Sequence, residues 1–140
     1  MSYNVQISVI LTTYNEKEDF LLQSLNSILN QTCKNFEVII VFEPNDSNYQ
    51  LVQKLALIDH RIIIKCNKIK LGFVKSLNVA LLQSKGKYIA RIDSDDFCEL
   101  DRFEEQIDYL EKHPYVDVLG TDLNIVDQDN KYLIITTTKP

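Results

Sequence analysis

The sequence predicts an α/β fold, a mostly parallel sheet with helices on both faces, and three observations predict it. Strand-length apolar runs alternate with helical stripes along the chain. The runs are apolar at nearly every position, as in strands covered on both faces. Polar clusters follow the C-terminal ends of the runs, where ligands collect in open sheets of this type.

The elements follow in order. Val5 to Thr12 is a β-branched strand that stops at Thr13-Tyr14-Asn15. Asn15 is placed to cap the next helix, with Glu18 completing a capping-box-like pair, and Leu21, Leu25, Ile28 and Leu29 supply its apolar stripe. Phe36 to Phe42 is a second strand, broken by the turn residues Glu43-Pro44-Asn45-Asp46. Leu51, Val52 and Leu55 mark a second helix, and Arg61 to Cys66 a third strand. After a loop ending at Leu71-Gly72, Val74, Leu77, Leu81 and Leu82 mark a third helix, which Gly86 is expected to close as a left-handed cap. Tyr88 to Ile92 is a fourth strand. Phe103, Ile107 and Leu110 form a helix stopped by His113-Pro114, and Val116 to Gly120 reads as a fifth strand. Ile125-Val126, the polar stretch Asp127 to Asn130, and Tyr132 to Thr138 read as a C-terminal β-hairpin. No repeat, linker or low-complexity stretch interrupts the series.

Composition narrows the setting. With 140 residues, 45% hydrophobic and 25% charged, the chain has enough apolar material for one core, and residues 1–140 are read as one domain. A net charge of -5 without a basic stretch argues against duplex nucleic acid as a partner. The three cysteines, Cys33, Cys66 and Cys98, are widely spaced, lack a Cys-x-x-Cys pair, and read as reduced thiols of a cytoplasmic protein. The N-terminus lacks a basic region and its apolar run, Val5 to Leu11, is strand-length, so no signal peptide is evident, and nothing approaches a membrane span.

One segment carries concentrated chemistry. Ile89 to Asp96 reads I-A-R-I-D-S-D-D, an apolar strand running into three carboxylates. Acids crowded at a strand end repel one another and lose hydration, so a fold tolerates them where a cation or donor compensates. Hard oxygen ligands suit magnesium or manganese, which commonly bridge one or two carboxylates to substrate phosphates. Asp95 or Asp96 is equally suited, taken alone, to cap a following helix. Thr12 to Asn15, Glu43 and Asp93 to Asp96 each follow a strand and are expected to converge on one crevice. Lys75 and Asn78 lie near the start of the third helix, Lys75 as a solvated side chain, and His60 and His113 have no partner at ligand spacing.

Together these segments carry a resemblance. Ser8 to Glu16 (S-V-I-L-T-T-Y-N-E), Ser27 to Thr32 (S-I-L-N-Q-T), Phe36 to Val41 (F-E-V-I-I-V), Gly86 to Asp96 (G-K-Y-I-A-R-I-D-S-D-D) and Asp101 to Glu104 (D-R-F-E) resemble, in order and spacing, the family 2 glycosyltransferases. The resemblance implies a GT-A, Rossmann-like fold that binds a nucleotide-diphospho-sugar, with UDP the expected nucleotide, and a divalent metal, Mn or Mg. It implies transfer of the sugar with inversion to a saccharide or lipid-linked acceptor, as in polysaccharide biosynthesis. By position, Thr12 and Tyr14 match residues lining the nucleoside pocket, Glu43 the acid that contacts the base, Asp93 the first acid of the D-x-D motif, and Asp95 the metal ligand. Two positions depart from the pattern: Phe42-Glu43-Pro44-Asn45 stands where Asp-Asp-Gly-Ser is common, and Leu100 stands where proline is common.

In that family the general base lies well downstream of the D-x-D motif, in the acceptor-binding half. The resemblance therefore implies that this chain is the donor-binding part of a longer enzyme, without a matched catalytic base. A membrane-surface partner is left open through residues outside the chain, which would place the protein at the inner face of the cell membrane. The alternative is a non-catalytic nucleotide-binding or receiver-like signalling module. A receiver needs an acidic pair after the first strand, where Thr12-Thr13-Tyr14 supplies none, and a dinucleotide site needs a glycine-rich turn there.

Overall fold

A computed structural model of the chain describes residues 4–135. Two compact units are present, one ending at Glu104 and the other beginning at Glu105.

In the first unit, β1 (Ile7–Thr13), β2 (Phe36–Phe42), β3 (Ile62–Cys66) and β4 (Tyr88–Arg91) form one parallel sheet in the order β3-β2-β1-β4. Every residue of β2 is buried. Each such valine or isoleucine contributes about 1.5–3 kcal/mol of apolar burial. Helices α1 (Glu18–Leu29), α2 (Tyr49–Ile58) and α3 (Phe73–Gln83) make the crossovers. Ile10, Ile39 and Val41 pack with Ala80 of α3, while strand alternation turns Val9, Leu11, Val38 and Ile40 to the opposite, equally buried face.

From β1 the chain winds outward through β2 to β3, then returns to place β4 on the other flank of β1. That reversal is the topological switch point, and it opens a crevice at the carboxyl ends of β1 and β4. Arg91 pairs with Ile10, so β4 stops while β1 runs on to Thr13. The segment that follows β4 therefore folds beside the end of β1.

Several sequence expectations meet a different outcome. Asn15 does not cap α1: Lys17 stands at the N-cap without a side-chain bond, while Asn15 takes φ 53°. Asparagine tolerates this left-handed conformation, and its Oδ1 accepts the Ser47 N–H at 2.9 Å. Gly86 is not a left-handed cap, because α3 ends at Gln83 with Ser84 as C-cap. Its glycine is required by close approach: a Cβ there would lie 2.6 Å from the Ile7 carbonyl carbon. In α3 the buried positions are Ser76 and Ala80 rather than a leucine stripe, since small residues let the helix sit close to the sheet, and Leu82 is 83% exposed.

The helix α4 (Arg102–Lys112) ends where His113-Pro114 was expected to stop it. In the second unit, Val116 to Gly120 is irregular rather than a strand. Among the described residues no strand pairs with it, and Val118 is 89% exposed. The hairpin is present as β5 (Asn124–Val126) and β6 (Tyr132–Ile135), antiparallel, with Asp127 Oδ1 accepting the Asp129 and Lys131 N–H groups at 2.9 Å. Residues 136–138 of the expected second strand lie outside the described residues.

Candidate functional site at the switch point of the sheet

The crevice is a cleft of about 400 Å³ within the first unit. Its walls include Thr12, Tyr14, Glu43, Asp93 and Asp95, so the five residues singled out in the sequence meet there. Thr13 and Ser94, from the stretches expected to converge here, complete the lining with Lys70, Gly72, Phe73 and Ser76, which carried no expectation. Lys75 and Asn78 do not line it; both are exposed on α3.

The loops after β1 and β2 are braced against each other before any ligand arrives. Asp46, buried, accepts the Asn15 N–H at 2.8 Å through Oδ2 and the Asn48 N–H at 2.8 Å through Oδ1. The Asn48 side chain donates to the Glu16 carbonyl at 2.7 Å. Tyr14 is thereby held at the rim with 51% of its surface exposed.

Glu43 is 5% exposed, and its carboxylate is oriented by the protein itself. Oε1 accepts the Gly72 N–H at 2.7 Å and the Ser76 hydroxyl at 3.1 Å, and Oε2 accepts the Leu71 N–H at 3.0 Å. Asn67 donates to Ser76 Oγ at 2.8 Å and fixes the hydroxyl. Burial raises the Glu43 pKa, but the hydrogen bonds from Leu71, Gly72 and Ser76 outweigh it and leave the carboxyl below its ordinary 4.5. A carboxylate offers about four acceptor positions, so Oε2 keeps capacity for a further donor.

The acidic turn is clamped by α1 and by the residues that follow it. Ser24 Oγ donates to the Asp93 carbonyl at 3.2 Å, Ser27 Oγ accepts the Cys98 N–H at 3.1 Å, and Gln31 Nε2 donates to the Glu99 carbonyl at 2.6 Å. Gln31 is fully buried, and its Oε1 accepts the Phe103 N–H at 3.0 Å, satisfying a free donor at the start of α4. Thr32 adds its N–H to the Leu100 carbonyl at 2.8 Å and its hydroxyl to Glu104 at 2.7 Å. The S-I-L-N-Q-T segment is thus the scaffold of the acidic turn. The reading of Asp95 or Asp96 as a helix cap does not hold, because α4 starts only at Arg102.

Within the turn, Arg91 pairs with Asp93 at 2.8 Å. Asp95 is exposed and has no hydrogen-bond or ion-pair partner among the described residues. Burial, together with Asp95 and Asp93, pushes the Asp96 carboxyl above its ordinary 3.8, the sign of local negative potential.

Among the described residues no group of three or more His, Cys, Asp or Glu side chains could cage a metal. Two cleft carboxylates, one of them unpaired, instead fit a hard cation that takes the rest of its shell from water and phosphate. Among the described residues, the one buried side-chain polar atom without a partner, Thr13 Oγ1, also belongs to a lining residue.

A parallel sheet with a cleft at its switch point, lined by acids, defines the class as an open α/β protein whose site lies at the carboxyl ends of the strands. Comparison with known proteins makes that class specific. The model of the family described as Glycosyl transferase family 2 matches residues 8–136. A glycosyltransferase of Haemophilus influenzae is 38% identical over 124 residues, covering 86% of this chain and 37% of the relative. The Escherichia coli protein named UDP-Glc:alpha-D-GlcNAc-diphosphoundecaprenol beta-1,3-glucosyltransferase WfaP is 36% identical over 106 residues, covering 75% of this chain and 41% of that protein. The crystal structure of S. aureus TarS 1-349 in complex with UDP-GlcNAc superposes with a TM-score of 0.71 at 28% identity, over 79% of this chain and 32% of that one. The chain belongs to glycosyl transferase family 2 and has the GT-A fold. It spans 37% and 41% of the length of these two relatives. Among the described residues no helix is long and apolar enough to cross a membrane.

Proposed function

We propose that residues 1–140 form the donor-binding part of an inverting glycosyltransferase, which holds a nucleotide-diphospho-sugar for transfer to a saccharide or lipid-linked acceptor. The observation that carries this reading is the meeting of Tyr14, Glu43, Asp93 and Asp95 in one cleft. Tyr14 packs its ring against the base or ribose while its hydroxyl stays wet. Thr12 lines the same nucleoside end. Glu43 presents the open edge of its pre-oriented carboxylate to the base. Asp93 faces the ribose and diphosphate, and Asp95, which has no partner among the described residues, holds the divalent cation, Mn or Mg. When bound, that cation supplies charge neutralisation on the departing diphosphate.

A UDP-linked donor is favoured by the relatives, since WfaP is named for UDP-Glc and the TarS structure carries UDP-GlcNAc. A lipid-linked acceptor, which the name of WfaP contains, would place the protein in the cytoplasm at the inner face of the membrane. Calorimetric titration with UDP tests the reading. Binding should be weak in chelator and tighter in manganese, and equal affinity in both would count against the metal assignment.

A further inference from the structure

We propose that Lys70 is a donor-binding residue: its ammonium leaves the ring of Tyr14 when the diphosphate enters and supplies, beside the stacking on Tyr14, part of the affinity that needs no metal. The inference rests on the nucleotide-sugar reading of the same cleft and adds a residue and a movement to it.

Charge makes the case first. The ionisable side chains lining the cleft are the acids Glu43, Asp93 and Asp95, the phenol of Tyr14, and Lys70, which is the one cationic side chain in that lining among the described residues. A diphosphate entering walls of that sign meets repulsion unless a cation is near. Arg91 is the other candidate, but its guanidinium is already paired with Asp93 at 2.8 Å and lies 5.1 Å from the Phe73 ring.

Position makes the case next. Lys70 Nζ stands 4.1 Å from the centroid of the Tyr14 ring and covers a face on which a base would otherwise stack. A cation over an exposed ring is a weak contact, whereas an ammonium meeting phosphate oxygens forms charge-assisted hydrogen bonds. Donor binding therefore offers Lys70 a better partner and Tyr14 a free face at the same time. The backbone permits the exchange. Leu71 and Gly72, directly after Lys70, are anchored by their N–H groups to Glu43 at 3.0 and 2.7 Å. The exposed four-carbon side chain can rotate about that fixed point.

The test compares Lys70→Met and Lys70→Arg with the unaltered protein, titrating UDP and uridine separately in chelator, with thermal melts confirming that each variant folds. Lys70→Met should bind UDP roughly tenfold more weakly, a loss typical of one charge-assisted contact, while uridine binds as well as before or up to about threefold more tightly. Lys70→Arg should keep UDP affinity within about threefold. Undiminished UDP binding by Lys70→Met overturns this inference alone, as does an equal loss for UDP and uridine, which would make Lys70 a structural prop of the loop. Failure of the unaltered protein to bind UDP with or without manganese overturns the donor-binding reading, and Lys70 falls with it.

Discussion

Glu43 accepts the backbone N–H of Gly72 at 2.7 Å, joining the end of β2 to the loop that opens α3, 29 residues further on. With the Leu71 and Ser76 bonds, this one buried carboxylate fixes the loop that carries Lys70 and Phe73 into the cleft. Replacing Glu43 with alanine strands two N–H groups and a hydroxyl. Urea denaturation should report a loss of about 1–3 kcal/mol, the penalty for buried donors left unpaired. A loss within experimental error would show that the loop is held by something else.

Gln31 should behave as a structural residue with a functional readout. Gln31→Leu keeps the bulk but leaves the Glu99 carbonyl and the Phe103 N–H without their partner. A loss of about 1–3 kcal/mol is expected in denaturant melts. Weaker manganese-dependent UDP binding should accompany it, because Gln31 holds the Glu99 carbonyl in the same segment that Ser24 of α1 holds at Asp93.

Asp95 and Tyr14 separate metal-dependent from metal-independent affinity. Asp95→Ala should bring UDP binding in manganese down to the level in chelator. Tyr14→Ala should weaken UDP in both conditions alike by about 1–3 kcal/mol, the worth of a base on an aromatic ring and roughly a fivefold to hundredfold loss. A full metal response in Asp95→Ala would remove the ligand assignment.

The dependence of stability on pH has two opposed contributions. Hydrogen bonds hold the Glu43 pKa below 4.5 against the effect of burial, so its contribution is present above the unfolded value and disappears as pH falls through the lower folded value. Asp96 is raised above 3.8 by burial and by Asp95 and Asp93, so its contribution is present in acid and is lost as pH rises through the raised value. Melting temperature against pH should therefore fall less steeply in acid for Glu43→Gln. For Asp96→Asn the loss on rising above about pH 4 should vanish, and the unaltered protein should recover it on adding manganese.

Gly86 gives a purely steric prediction. Alanine there would drive a methyl into the Ile7 and Ser8 backbone and into Ser8 Oγ, 2.9 Å away. Ser8 Oγ also accepts the Lys85 and Gly86 N–H groups at 3.0 and 2.8 Å, so the backbone has little room to retreat. A loss of about 1–3 kcal/mol or more is expected in denaturant melts, and a neutral Gly86→Ala would refute the close approach.

Much of this was legible in the residues. The apolar runs that became β1 to β4 lie within two residues of their expected ends; β1 and β2, buried on both faces, leave uninterrupted apolar stretches, whereas the edge strands β3 and β4 are only partly buried. Polar residues after β1, β2 and β4 meet in one cleft as expected, because parallel topology sends strand ends to one side. What escaped is long-range. Asn15, placed as a cap by local spacing, is claimed by Ser47 and Asp46 from the neighbouring loop. The glycine of Gly86 answers to Ser8, 78 residues away. Gln31 looked like ordinary helix-end polarity, since nothing in its own segment announces Glu99 and Phe103. Lys70 and Phe73 carried no periodic or motif signal, and only the fold brings them to Tyr14 and Asp93.

The most direct measurement is a set of amide NMR spectra of the labelled chain titrated with manganese, with and without UDP. Paramagnetic broadening should centre on Asp93 to Asp96, reach Thr12 to Tyr14, and sharpen in its metal dependence once UDP is present. Broadening that ignores UDP, or that centres on acids outside the cleft, would contradict a cation held between Asp95 and a nucleotide diphosphate.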